Sequence, residues 1–140
     1  MNVLLSVRPR YAKEIITGRK KYEFRKTIFK NEETRKVLIY ATSTIKKIIG
    51  CFEVGEIIEG SPHAVWKRCK EYAGISWEEY YSYFAQSQTA YAIEIVKFLT
   101  FEPYIDPYQI LAGFAPPQSF YYLQDNDILD LMKRVEGVRS

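Results

Sequence analysis

Lys20, Glu23 and Arg25 are the residues of this chain whose types and spacing can do chemistry, and they follow Gly18 in the run Gly-Arg-Lys-Lys-Tyr-Glu-Phe-Arg. A lysine ammonium is a mobile point charge with three donors, whereas an arginine guanidinium is a planar fork that grips phosphate or carboxylate with two bonds. If the segment is a strand, Lys21, Glu23 and Arg25 share one face and Tyr22 and Phe24 the other. Glu23 can then orient Arg25, accept from the amino group of a base, or act as a general base. The same pattern also fits a solvated strand face with cross-strand ion pairs, which contribute little. Spacing alone leaves both readings open.

Further candidates lie downstream. Tyr40, Thr42 and Ser43 sit at the end of an apolar run, where their hydroxyls can read a base edge or simply mark a core strand meeting a polar turn. Gln118 and Ser119 follow Pro116-Pro117, and a glutamine amide offers both donor and acceptor to a base. The alternative for these two is backbone satisfaction of a proline-rich crossing. Trp77, Tyr80, Tyr81, Tyr83 and Phe84 can stack on bases, yet Trp77, Tyr80 and Phe84 fall at helical spacing, which points to core packing. His63, the single histidine, reads as a surface neighbour of a helix cap rather than an acid or base.

These residues must be positioned by alternating strands and helices. Val3–Val7 reads as a short buried strand ended by Arg8-Pro9. A helix then runs from Arg10 to Thr17, with Tyr11, Ala12, Ile15 and Ile16 on one face and Gly18 as its stop. Lys20–Lys26 reads as a strand, 27–36 as a loop, Val37–Thr42 as a strand, and Lys46–Val54 as another with Gly50 at a bulge. Ser61-Pro62 caps a helix to about Tyr72 that stops at Gly74. Ser76 and Glu79 form a capping box, the serine and glutamate each satisfying the other's amide, at the start of an aromatic helix ending near Phe84. Thr89–Phe98 is a long strand. Pro103 and Pro107 precede a short helical turn, and Pro-Pro-Gln crosses the molecule outside any sheet centre. A helix over 125–136 closes the chain through Ile128, Leu129, Leu131, Met132 and Val135. The fold class expected is α+β, a small curled sheet or β-barrel of mostly antiparallel strands flanked by helices.

Length and composition bound what the site can serve. The chain has 140 residues, enough for one domain with a real core, and 47% hydrophobic with 26% charged residues is a globular balance. Net charge is +3, but residues 1–50 carry thirteen Lys/Arg against four Glu and the remainder seven against thirteen Asp/Glu. That asymmetry makes a polyanion partner plausible. Cys51 and Cys69 lie in apolar strand-like and helix-like runs, so two buried thiols are expected rather than a disulfide. One histidine and no paired Cys/His spacing give no structural metal, and no cofactor is expected. The N-terminal apolar run of barely five residues is too short for a signal core, and no run approaches a membrane span, so the expected location is the cytoplasm. Oligomeric state is not legible.

Four blocks in order, Ser6-Val-Arg-Pro9, Gly18-Arg-Lys20-Lys-Tyr-Glu23-Phe-Arg25, Ile39-Tyr-Ala-Thr-Ser43 and Pro116-Pro-Gln-Ser-Phe120, resemble the ASCH domain family of the PUA-like superfamily. The resemblance runs from the first strand to about Leu123 and centres on Gly18, Lys20 and Arg25. It implies one domain over 1–140, with its core at about 2–123, and a PUA-like barrel with a cleft beneath the first helix. It also implies roles in RNA binding, RNA modification or regulation through partner proteins. The partner so implied is RNA or a modified nucleotide, bound by Arg8, Lys20, Glu23, Arg25, Tyr40, Thr42, Ser43, Gln118 and Ser119. One branch of the family removes the acyl group of N4-acetylcytidine using a lysine, a threonine nucleophile and a glutamate. Lys20 matches that lysine, but Glu23 stands where the threonine belongs, and a carboxylate would give a high-energy anhydride instead of an ester. Another branch is reported as a ribonuclease. Water activated by Glu23 and polarised by Lys20 leaves an enzymatic alternative in which Lys20 and Glu23 are the catalytic pair. The reading reached from sequence is a binding module, with a nucleoside-processing enzyme and a protein-interaction module as its rivals.

Overall fold

Arg8 is extended, Pro9 opens the first helical turn, and the chain turns from strand to helix within two residues. The computed structural model describes residues 2–30, 33–128, 130, 131 and 133. In order these form β1 (Asn2–Val7), α1 (Pro9–Ile16), β2 (Tyr22–Arg25), β3 (Lys36–Ala41), β4 (Lys47–Gly60), α2 (Pro62–Cys69), a 3-10 turn (Lys70–Tyr72), α3 (Trp77–Tyr83), β5 (Ala90–Ile105), α4 (Pro107–Ile110) and β6 (Phe120–Tyr122). All six strands join one sheet in the order β2-β5-β4-β3-β1-β6, and only β1 with β3 is parallel.

Alternation sorts the side chains into three cores. Val3, Leu5 and Val7 of β1, Val37, Ile39 and Ala41 of β3, and Ile93 of β5 pack together on the concave face, where Ala12 and Ile15 of α1 join them. Leu4, Leu38 and Tyr40, one residue out of phase, pack on the opposite face against Phe101, Leu111 and Leu123. A third core lies between the outer face of β2 and β5 and the helices α2 and α3, centred on Tyr80 with Phe24, Val65, Cys69 and Phe84. Cys51 and Cys69 are both buried and not in a disulfide, and burial pushes the Cys69 thiol up to about 11.

The expected barrel is a curled half-barrel: β2 and β6 are the two ends of the strand order, and no ladder joins them among the described residues. Curling comes from irregular pairing of the two long strands, where the β4–β5 register shifts at Ile48/Gly50, Cys51/Glu53 and Val54/Ile57. Gly50 is needed there because a Cβ would fall 2.2 Å from the Leu99 carbonyl oxygen. Strand β5 continues seven residues past the expected end at Phe98, through Pro103 to Ile105. Residues 116 and 117 are irregular, as proline requires, and β6 follows them as an edge strand on β1.

One aromatic expectation is corrected: Trp77 is 57% exposed, whereas Tyr80 and Phe84 are core residues as their helical spacing suggested. At the C-terminal end, residues 125–128, 130, 131 and 133 are helical, with Ile128 and Leu131 packed against the Leu4 core. Leu129, Met132 and Val135, and the helix end expected at 136, lie outside the described residues. No helix among the described residues is long and apolar enough to cross a membrane.

Candidate functional site

Lys20 is placed by what surrounds its backbone. Its amide donates to Glu14 O at the end of α1, and the Lys21 amide donates to Tyr72 O. Gly74, at φ +62, lies so close that a Cβ there would meet the Lys20 Cβ at 2.3 Å. The side chain, 3% exposed, is thereby driven inward, where Nζ donates to Ala73 O at 2.8 Å. The ammonium also lies 4.7 Å from the Phe24 ring centroid. Burial lowers the Lys20 pKa below the ordinary lysine value, and the nearby Glu23 carboxylate opposes that shift.

Glu23 and Arg25 project from the concave face of β2, as alternation required. Glu23 is 6% exposed, with Oε1 3.8 Å from Lys20 Nζ and Oε2 3.8 Å from Arg25 Nη1. Both separations exceed hydrogen-bond length, so the carboxylate sits between two cations with its lone pairs open to a third group. Arg25 is engaged differently from expectation. Its Nη2 donates to Ser6 O and Ser119 O at 3.0 Å each, and its buried Nε has no partner.

The three side chains line one cleft of about 770 Å³. Of the residues singled out from sequence, the cleft brings together Arg8, Lys20, Glu23, Arg25, Thr42, Gln118 and Ser119. Tyr40 and Ser43 are not in its lining. Tyr40 faces the opposite core, 1% exposed, with its hydroxyl 3.4 Å from that of Tyr108, and burial raises its pKa. Ser43 is exposed in the turn after β3. The parity of β3 explains the miss: Val37, Ile39 and Ala41 take the concave face, so Tyr40 cannot.

The opposite wall comes from Ile75 and, in α3, Glu78, Glu79, Ser82 and Tyr83, with Arg10 and Tyr11 of α1 at the rim. Of these, sequence reasoning weighed only Tyr83 as a ligand contact, assigned Glu79 to a helix cap and Tyr11 to a helix face, and singled out none of the others for the site. Four cationic side chains, Arg8, Arg10, Lys20 and Arg25, therefore face three carboxylates, Glu23, Glu78 and Glu79, so the cleft is mixed in charge rather than uniformly basic. Only half of the expected capping box forms: Ser76 Oγ accepts from the Glu79 amide at 3.1 Å. The Glu79 carboxylate accepts from Arg10 Nη2 and the Tyr11 hydroxyl. No group of three or more His, Cys, Asp or Glu side chains arranged to hold a metal occurs among the described residues.

Comparison with known proteins identifies the family. The family model described as the ASCH domain matches residues 5–103, from within β1 to near the end of β5, and includes Lys20, Glu23 and Arg25. A protein described as an ASCH domain-containing ribonuclease, from Zymomonas mobilis, is 30% identical over 137 residues, covering 96% of this chain and 93% of its own. The crystal structure of ASCH from Zymomonas mobilis superposes with a TM-score of 0.87 at 29% identity, covering 94% of each chain. Large ribosomal subunit protein uL22 of Ureaplasma parvum is 28% identical over 125 residues, which are 87% of this chain but 39% of that protein. With a matching family model over more than half its length and a relative similar from end to end, the chain belongs to the ASCH domain family.

Proposed function

We propose that this chain binds single-stranded RNA, seats one nucleotide in the 770 Å³ cleft, and cleaves the strand there with Lys20 and Glu23. The observation that carries the reading is the convergence of an ammonium, a carboxylate and a guanidinium at 3.8 Å spacings on the floor of a nucleotide-sized cleft. Kinship along the whole chain with a protein described as a ribonuclease supports it. A base can enter such a cleft only when unstacked, which favours single strands over duplex.

The chemistry is an internal transesterification. Glu23 takes the proton of the 2′-hydroxyl, the 2′-oxygen forms a bond to phosphorus, and the bond from phosphorus to the 5′-oxygen breaks. Lys20, made more acidic by burial, gives a proton to the departing 5′-oxygen, leaving a 2′,3′-cyclic phosphate and a 5′-hydroxyl. Arg25 keeps Glu23 in place through Nη1, and its guanidinium charge bears on the phosphate.

The test is incubation of an end-labelled single-stranded RNA with the protein in EDTA, followed by analysis of product ends. Cleavage giving cyclic phosphate ends, falling at least 100-fold in Glu23→Gln and abolished by a 2′-deoxy substitution at the cut site, is expected. Cleavage by wild type that is unchanged in Glu23→Gln and Lys20→Ala would remove the proposed pair. A second reading, binding without cleavage, is favoured by one observation: Lys20 Nζ already has a buried carbonyl partner, as a structural anchor would. Salt-dependent RNA binding with no product at any time would select it.

A further inference from the structure

At the rim of the cleft, donors of α1 and its approach surround one anion that belongs to the protein itself. Arg10 Nη2 and the Tyr11 hydroxyl both donate to the same carboxylate oxygen, Glu79 Oε2. The Arg10 guanidinium also bonds the Tyr11 hydroxyl at 2.9 Å, so the two donors are held together. A capping-box glutamate would ordinarily turn back to its own helix; this one crosses the cleft to α1.

We propose that Arg10 and Tyr11, with Arg8 beside them, form a phosphodiester subsite that Glu79 occupies in the free protein as an internal substitute for phosphate. A planar guanidinium with an adjacent hydroxyl suits either anion, and a phosphodiester offers two such oxygens. The ion pair is built to exchange: the Arg10 side chain is 63% exposed and that of Glu79 36%, so water and incoming anions reach both. The Tyr11 hydroxyl, and after it the Arg10 guanidinium, hold the glutamate carboxyl below its usual range, and Arg8 acts in the same sense. The position also fits a chain path. Arg10, Tyr11, Ile75 and Glu79 line both the main cleft and an adjoining cavity of about 580 Å³, so the subsite lies where the two spaces meet. The inference deepens the RNA reading and rests on it for the identity of the ligand, but the subsite has its own test.

That test compares wild type with Glu79→Gln, which removes the competing charge and keeps the size, using a labelled single-stranded RNA and, separately, inorganic pyrophosphate. Tighter binding by Glu79→Gln, about 3–10-fold for RNA, with a steeper dependence on salt by about one phosphate contact, is expected. Arg10→Ala in the Glu79→Gln background must abolish the gain. If neither form binds RNA but Glu79→Gln binds pyrophosphate more tightly through Arg10, the subsite stands and the RNA reading falls. If RNA binds and Glu79→Gln binds it no better, the subsite is wrong and the RNA reading survives. Should Glu79→Gln fail to fold, Glu79→Asp, which withdraws the carboxylate by one methylene, has to show a smaller gain of the same kind; an unchanged or lower affinity overturns the subsite.

Discussion

Lys20 holds two roles whose physics can be separated. The residue is 3% exposed, with its ammonium tied to Ala73 O at 2.8 Å and 3.8 Å from Glu23. Removing it leaves a buried carbonyl without its donor and a carboxylate with one cation fewer, a loss that for buried pairs is large. Lys20→Met, which keeps the volume, is therefore expected to lower stability by roughly 3 kcal/mol at neutral pH, read as a fall in the urea midpoint. The sign of the pH dependence follows from the lowered lysine pKa. The unfolded chain keeps its proton up to the ordinary value of 10.5, whereas the folded chain releases it earlier. The unfolded state thus binds more protons in that interval, and stability gains from this group as pH rises toward 10.5. Wild type should accordingly gain stability relative to Lys20→Met between neutral pH and about pH 10. A constant gap between the two across that range would show that burial does not depress this lysine.

Gly74 and Gly50 carry the element-scale consequences, because each lets two elements approach more closely than any side chain permits. Gly74 sits between the 3-10 turn and α3 at φ +62, with the Lys20 Cβ only 2.3 Å from where its own would be. Gly74→Ala is penalised by conformation and by contact, and the least costly relief is to push Lys20 out of the cleft floor. Gly50 meets rigid β5 backbone at Leu99 O instead. Both alanine variants should lose about 1–3 kcal/mol of stability. Only Gly74→Ala should also disturb the site, lowering RNA turnover at temperatures where both variants stay folded. Equal activity losses in the two would place the damage in global stability and not in the seating of Lys20.

The same scale separates what the sequence reveals from what it hides. The Lys20–Arg25 segment is legible because polar and aromatic residues alternate there, so parity alone assigns Glu23 and Arg25 to one face. The strand Lys36–Ala41 has no such contrast: Val, Leu, Ile, Tyr and Ala are all buried, and nothing local says which alternate set faces the cleft. Tyr40 is misplaced on that ambiguity. The α3 wall is hidden for another reason. Ser76 and Glu79 satisfy a local capping pattern completely in sequence, and only the packing of α1 against the cleft gives Glu79 better partners than Ser76. Strand β5 outruns its expected end because an X-Pro step reads as a stop, while the irregular β4–β5 pairing accommodates it.

Across the whole molecule, the half-barrel has an opening that side chains span. Strands β2 and β6 end the sheet without pairing to each other among the described residues, yet Arg25 on β2 donates to Ser6 O of β1 and to Ser119 O just before β6. Phe29 packs edge-on against Phe120, and the Lys30 amide donates to the Tyr122 hydroxyl, so the loop after β2 follows the same path. A side chain thus does what a ladder does in a closed barrel, and the cleft lies beside that closure, with Gln118 and Ser119 brought to its rim. Two charge-assisted bonds to part-buried carbonyls make Arg25 the strongest link between the edges. Arg25→Met should lower stability by about 2–4 kcal/mol, since both carbonyls and the apolar stem's packing are affected. Its diagnostic is spatial: amide hydrogen exchange should quicken in β6 and in the loop after β2, and stay as it is in the β3–β4 pairing at the middle of the strand order. RNA turnover should fall with it, and Arg25→Lys, which keeps the charge but not the fork, should recover only a fraction. A loss of turnover with unchanged exchange at both edges would instead make Arg25 a direct phosphate contact, held to the carbonyls only until substrate arrives.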